Sequence, residues 1–336
     1  MTRKQIPYTV SIGLVRHLLE GAMRHGFSPE PFLLRAGIAP ALVHTQSARV
    51  SSDQYIALMW QILQTMGDEA LGHFSRPLKR GSLELIGRTA LTADSAQTAL
   101  VRMCQALNLL QDDMEFRLVS EGEHAAVRLR SAPDIPWRNT LHEFTLRVVW
   151  RIAAWMVGGG LRVRRFDFAF EQPSYVSDYG EVFPAALRFG QMASAFWFDA
   201  RLLSRTSTRD EAALRNFVAS WPAEAIIPTW AGRSMQARVH AHLLQCRPVW
   251  AGLEATAQAL QTSAPTLQRK LAAEGTTFQA IKDQLRRDIA ITRLGTGKDS
   301  FTRLAADLGF SDAAAFQRAF KGWTGSPPGL YRRRHG

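Results

Sequence analysis

Gln268-Arg269 and Gln317-Arg318 are the residues whose type and setting carry the clearest chemistry. A Gln amide can donate to and accept from one adenine edge, and an Arg guanidinium fits the edge of guanine. Each pair stands in the same frame, because Leu267-Gln-Arg-Lys-Leu271 recurs 49 residues later as Phe316-Gln-Arg-Ala-Phe320. On a helix, apolar residues four apart share the buried side, so the Gln-Arg pairs fall on other faces. Ser263 and Asp312 precede the two segments as N-cap residues. Base readout is expected from Thr266, Gln268 and Arg269 in the first segment, and from Ala313, Ala314, Gln317 and Arg318 in the second. Lys270, Thr276, Thr277 and Lys321, with the helix N-termini, suit phosphate.

Positioning these residues takes two matched elements. A short amphipathic helix lies upstream of each segment, Leu253–Leu260 and Phe301–Leu308, separated from it by Gln261–Ser263 and Gly309–Asp312. Helix, tight turn and capped second helix make the helix-turn-helix pattern, here present twice. Between the units, Phe278–Leu294 reads as one helix with Ile281, Leu285, Ile289 and Leu294 inward and Lys282, Arg286, Arg287 and Arg293 outward. Its 17 residues span about 25 Å. With the flanking breaks, that could hold the reading helices roughly one DNA turn, ~34 Å, apart. The competing reading is a plain helical repeat with solvated Gln and Arg; caps, turn lengths, apolar spacing and charge all argue against it.

Charge follows the repeat. The chain carries 41 Lys+Arg against 29 Asp+Glu, a net +12 over 336 residues. Residues 233–336 hold 16 basic and 7 acidic side chains, so +9 of the excess lies in the last third. That asymmetry suggests an anionic partner. A 46% hydrophobic, 21% charged composition excludes a disordered, collagen-like or polytopic membrane chain. No apolar run reaches the roughly 18 residues of a membrane span, and the start Met1–Pro7 lacks a signal-peptide core. Cys104 and Cys246 make no disulfide framework, which fits a reducing cytoplasm.

The remaining chain alternates helical and strand patterns. Helices are expected at Val15–Gly26, Phe32–Ala36, from Ser51 or Ser52 to Gly67, Asp94–Leu110 and Thr140–Val157. Met114–Val119 and Ala126–Arg130 read as a hairpin across Glu121-Gly-Glu123, with further strands at Val163–Phe170 and Phe196–Phe198. This predicts an α+β domain over 1–220, a Pro- and Gly-bearing linker at 221–232 and an all-α domain over 233–336 whose helix-turn-helix units are joined by a long helix. Trp150, Trp155, Phe166, Phe168, Phe170, Trp197 and Phe198 could line an effector cavity, with Arg130, Arg147 or Arg151 holding an acidic group. The effector set is taken as Arg130, Arg147, Trp150, Phe168 and Trp197, against the alternative that these residues are simply core.

Over about Ala251 to Arg332 the residues resemble the DNA-binding domain of AraC/XylS-type bacterial transcription regulators. Leu304–Pro328 carries the pattern: a helix, Gly309-Phe310, a polar cap, Phe316, Arg318, Phe320-Lys321, then Gly325-Ser-Pro-Pro328 and Tyr331-Arg332. The family often has larger polar residues where this chain has Ala313-Ala-Ala315, so methyl contacts to thymine or phosphate positioning are expected there. Residues 6–210 resemble the arabinose-binding-type N-terminal domain of ornithine-utilisation-type regulators, through Ile6-Pro-Tyr8, Gly37-Ile38, Asp68–Gly72, Thr89–Leu100, Phe183-Pro and Phe189-Gly190.

The resemblance implies double-stranded DNA, a small organic effector, a second copy of the chain and RNA polymerase as partners, and no membrane. His142-Glu143 lacks a second zinc-spaced His, and His240 and His242 read as surface residues. No cofactor, metal site or enzymatic activity is expected. Arg332-Arg-Arg334 either touches phosphate or forms a basic tail. The alternatives are a dimerising regulator without a ligand, or a protein-interaction module with basic helices.

Overall fold

The computed structural model describes residues 9–45, 47–132, 134–159, 161–173, 175–176, 179–206, 209–224, 235–295 and 299–332. The first elements are β1 (Thr9–Ser11), α1 (Ile12–Arg24), α2 (Pro29–Arg35), β2 (Arg49–Ser51) and α3 (Ser52–Met66). Then follow α4 (Ser82–Leu91), α5 (Ala96–Leu110), β3 (Met114–Glu121), β4 (His124–Ser131) and α6 (Arg138–Met156). β5 (Arg165–Asp167), α7 (Tyr179–Val182), β6 (Ala186–Arg188), β7 (Ser194–Asp199) and α8 (Glu211–Glu224) come next. The last third is helical: α9 (Met235–Gln245), α10 (Leu253–Ala259), α11 (Ala264–Ala273), α12 (Phe278–Gly295), α13 (Phe301–Asp307) and α14 (Ala313–Thr324). None of the described helices is long and apolar enough to cross a membrane.

The fold is an α+β amino-terminal part and an all-α carboxy-terminal part. The chain packs into two compact units that are not contiguous in sequence. One comprises the described residues of Met1–Val15, Glu30–Leu58 and Thr229–Gly336, the other those of Arg16–Pro29 and Met59–Pro228. α8 runs to Glu224, so the stretch 221–232 begins inside that helix, and 225–232 lies outside the described residues.

The second unit is built on a five-stranded sheet of order β3-β4-β7-β5-β6. The β3–β4 hairpin turns at Gly122, where φ is +58°, as the alternation around Glu121-Gly-Glu123 predicts. Among the described strands of this sheet, all pairings are antiparallel except β5–β6, which is parallel and was not legible in the pattern. The strand expected at Val163–Phe170 is regular only over Arg165–Asp167. Phe168 and Phe170 stay buried, but their backbone groups bond irregularly to Arg188, Gly190 and Gln191. One sheet face buries Phe116, Val127, Leu129, Phe166, Phe196 and Phe198 beneath α5 and α6. α8 closes against α4 at Gly87, where an added Cβ would lie 2.4 Å from Leu214 Cδ1. α6 stops where Gly158 and Gly159 adopt positive φ and return hydrogen bonds to Trp155 and Ala154.

His142 fastens α6 to the sheet. Its Nδ1 is 2.8 Å from Ser194 Oγ on β7 and its Nε2 is 2.8 Å from Ser131 Oγ on β4. Burial, with Arg138 adding, pushes its pKa from 6.5 down to about 4. A neutral ring held this way contributes fully above pH 6.5, and the contribution is lost as pH falls through that window toward 4. Stability should therefore drop on acidification by an amount on the order of 3 kcal/mol. Urea unfolding at pH values across the window checks this; His142→Gln should flatten the loss, and an unchanged slope would count against the assignment.

Candidate nucleic-acid interface

In the first unit, α10–α11 and α13–α14 are the two helix-turn-helix pairs. Ser263 caps α11 by accepting the Thr266 N–H at 3.3 Å, and Asp312 caps α14 by accepting the Ala315 N–H at 2.7 Å. The Ala315 N–H, with the Ser311 hydroxyl, holds the Asp312 carboxyl below the usual carboxylate range. Ser300 caps α13 in the same way. Leu267, Leu271, Phe316 and Phe320 are fully buried, as their spacing requires. Gln268, Arg269, Lys270, Ala314, Gln317, Arg318, Lys321 and Thr277 are exposed, while Thr266, Ala313 and Thr276 are half-buried. Each second helix thus offers a Gln-Arg pair and a neighbouring lysine to solvent.

The spacer helix α12 departs from expectation in an informative way. Ile281, Leu285, Ile289 and Leu294 face inward as read, but the basic residues taken as outward, Lys282, Arg286, Arg287 and Arg293, are half-buried rather than fully exposed. Lys282 Nζ donates to the Ala251 carbonyl at 3.3 Å, at the start of the first pair. The Arg286 guanidinium sits 5.0 Å from both the Trp250 and Phe310 rings and donates to the Gly309 carbonyl at 3.4 Å. Arg293 bridges Asp299 and Asp307, each at 2.7 Å, across the second pair. Trp250 Nε1 donates to the Asp307 carbonyl at 3.0 Å. A basic stripe facing two acceptor-rich turns is drawn in, because cation–π contacts and paired carboxylates exceed what exposed charges gain. α12 therefore grips both pairs through its charged side.

The strands near the amino terminus brace the same helix. β1 and β2 pair Thr9 with Ser51 and Ser11 with Arg49. Thr9 Oγ1 donates to the buried Asp288 carboxylate of α12 at 2.5 Å, and Arg49 Nε donates to Thr9 Oγ1 at 2.8 Å. The Arg49 N–H donates to the Tyr331 hydroxyl at 3.1 Å. Sequence reasoning missed this bracing, since three-residue strands leave no periodicity to read. His240 and His242 are half-buried rather than surface residues, with burial lowering the pKa of His240. Arg333 and Arg334 lie outside the described residues.

The residues expected to hold an effector are in the second unit, and they are not brought together. Strand alternation puts Trp197 and Arg130 on the sheet face opposite α5 and α6, with the Arg165 guanidinium 4.3 Å above the Trp197 ring. Trp197 Nε1 donates to Asp167 Oδ2 at 2.5 Å, and Arg130 is exposed in a groove with Glu115, Arg117, Val119 and Arg128. Trp150 and Phe168 lie on the helix-covered side, Trp150 edge-on to Phe166 at 5.3 Å and Phe168 stacked on Phe189 at 5.0 Å. Arg147 is buried on α6, near a group of ionisable residues, His17, Glu20, His73 and Glu143, that sequence reasoning did not single out. Only the α1 spacing of His17, Glu20 and Arg24 could have hinted at that group.

Comparison with known proteins agrees with this architecture. The family described as the arabinose-binding domain of AraC transcription regulators, N-terminal, matches residues 26–207, and a helix-turn-helix domain family matches 256–334. The ornithine utilization regulator of Pseudomonas aeruginosa is 26% identical over 96% of this chain and 96% of its own length. The regulator VirS of Mycobacterium tuberculosis is 26% identical over 91% of each chain. Among solved structures, the regulator CdpR of Pseudomonas aeruginosa is 20% identical over 94% of this chain and 96% of its own, with a TM-score of 0.31.

Gly309 tests the grip of α12. Its φ is +72°, and an added Cβ would lie 2.9 Å from Trp250 Cδ1 and 3.2 Å from the Arg286 guanidinium. Gly309→Ala should destabilise the first unit by about 1–3 kcal/mol. A lower urea midpoint followed by tryptophan fluorescence is the expected result; an unshifted midpoint would show that the turn is not held there.

Proposed function

The chain belongs to the AraC family of DNA-binding transcription regulators, and on that premise we propose that it recognises a specific operator through both helix-turn-helix units under the control of a small organic effector. Its relatives are regulators, so it is a regulator rather than an enzyme. The observation that carries the proposal is the repeated pair of capped helices, each with a Gln-Arg pair exposed opposite two fully buried apolar residues.

In this reading α11 and α14 enter successive major grooves. Gln268 and Arg269, and Gln317 and Arg318, bond base edges; Thr266, Ala313 and Ala314 lie at the helix starts, where Ala methyls suit thymine. Lys270, Thr276, Thr277 and Lys321 neutralise phosphates. Because α12 ties both pairs together through Lys282, Arg286 and Arg293, one chain presents both helices at a preset spacing. The amino-terminal part, residues 1–220, holds the effector and a dimer contact; the regulator works in the cytoplasm as a homodimer and engages RNA polymerase at its promoters.

The two kinds of contact separate by mutation. Arg269→Ala should cost about 1–3 kcal/mol of operator affinity and relax preference at one base pair. Lys321→Ala should weaken binding to all sequences alike and reduce the salt slope by about one. Fluorescence anisotropy on an operator obtained by site selection, at several salt concentrations, measures both. Unchanged affinity for Arg269→Ala would remove it from base readout.

A further inference from the structure

The second unit contains a buried polar seam with no part in DNA reading. α1 supplies His17, Glu20 and Arg24 at helical spacing, and α6 supplies Thr140, Glu143 and Arg147. His17 Nδ1 lies 2.8 Å from Glu143 Oε2, and Thr140 Oγ1 donates to Glu20 Oε2 at 2.7 Å. The Arg24 guanidinium sits 4.7 Å from the Trp137 ring, just ahead of α6. Pairing 17 with 143, 20 with 140 and 24 with 137 means that the two helices run antiparallel along this seam. Tyr175 and Tyr179 both donate to Glu143 Oε1, so that carboxylate is well satisfied.

His73, beside the seam, is different. Its ring is fully buried and stacked on Phe144 at 4.0 Å, yet neither ring nitrogen has a hydrogen-bond partner among the described residues. Leaving a buried polar group unpaired is costly, and such groups call for an explanation. Its surroundings are cationic. Arg24 Nη2 donates to the carbonyl of the adjacent Gly72 at 3.0 Å, and Trp137 Nε1 donates to the His73 carbonyl at 3.2 Å. Arg147 follows Phe144 by three residues, which puts it on the same side of α6. Burial first, then the positive charges of Arg24, Arg147 and His17, push the His73 pKa well below its ordinary value. A neutral imidazole with an unmet N–H, amid cations, is complementary to an anion.

We propose that His73, Arg147 and Arg24 form the anion-recognising end of the effector site, and that the effector carries a carboxylate. The inference rests on the effector-controlled reading above and adds to it a chemical class and a location. One carboxylate oxygen accepts from the His73 N–H and the other from the Arg147 guanidinium, while Arg24 adds positive field. Trp137, bonded to the His73 backbone, reports the event by its fluorescence.

The test uses the full chain. Acetate, octanoate, benzoate, pyruvate and succinate are titrated alongside the corresponding amides, with octylamine as a cation. Thermal midpoint, tryptophan fluorescence and operator binding are read in the same samples. At least one acid should bind saturably where its amide does not. His73→Phe and Arg147→Met should each weaken that binding about tenfold or more. If His73→Phe fails to melt cooperatively, Arg147→Met and the acid–amide comparison decide. No response to any acid, an equal response to acid and amide, a response to octylamine alone, or full affinity in folded variants would each overturn the inference. Operator binding altered by an amide or amine would leave effector control standing while this inference falls. Failure of the wild-type chain to bind any operator would instead defeat the regulator reading, whatever binds at His73.

Discussion

Two helix-turn-helix pairs can act on one duplex together only if their separation is fixed, and in this chain a single helix, α12, contacts both pairs. A spacer that merely linked two units would leave their relative rotation free, and each groove contact would then bear an ordering cost. Here Lys282 holds the head of the first pair, while Arg286 and Arg293 hold the turn and flank of the second. Arg286 does so with its guanidinium 5.0 Å from both the Trp250 and Phe310 rings, where its charge is partly desolvated. Preorganisation of this kind lowers the cost of binding without adding any contact to DNA.

The same contacts change what the charge excess means. The basic surplus of the last third first suggests a surface prepared for an anion. Several of its members are instead engaged inside the protein: Arg293 with two carboxylates, Arg286 over two aromatic rings and Lys282 on a carbonyl. The basic side chains left to solvent are a smaller set, in which Arg269, Lys270, Arg318 and Lys321 stand exposed on the second helices or at their ends. Net charge thus pointed to the right partner partly for a different reason, since an inward-facing arginine counts the same as an outward one in a sum over residues.

What was legible in the residues follows from how local each signal is. The caps Ser263 and Asp312, the buried pairs Leu267/Leu271 and Phe316/Phe320, and the hairpin at Gly122 depend on neighbours a few positions away, and the structure has them as read. The inward turn of the α12 arginines depends on Trp250 and Phe310, far away in sequence, and no periodicity encodes it. The parallel β5–β6 pair and the three-residue β1 and β2 were invisible for the same reason. Aromatic content suggested a single cavity, yet alternation sends Trp197 to one sheet face and Phe166 to the other. Trp197 is satisfied by Asp167 and Arg165, as an ordinary packed residue would be.

Bracing by β1 and β2 extends the constraint on α12 to the start of the chain. Asp288 is nearly inaccessible in the middle of that helix, and a buried carboxylate is tolerable only with partners of matching geometry. Thr9 donates to it, Arg287 lies 3.3 Å away, and Arg49 holds Thr9 through both its hydroxyl and its carbonyl. Arg49 also ties into Tyr331 through its backbone N–H, so the network links β1, β2, the middle of α12 and the turn after α14. Removing one member would leave a buried charge or donor uncompensated, which is costlier than never having built the network. The compact unit that carries the two helix-turn-helix pairs therefore includes residues from both ends of the chain, joined by hydrogen bonds that act together.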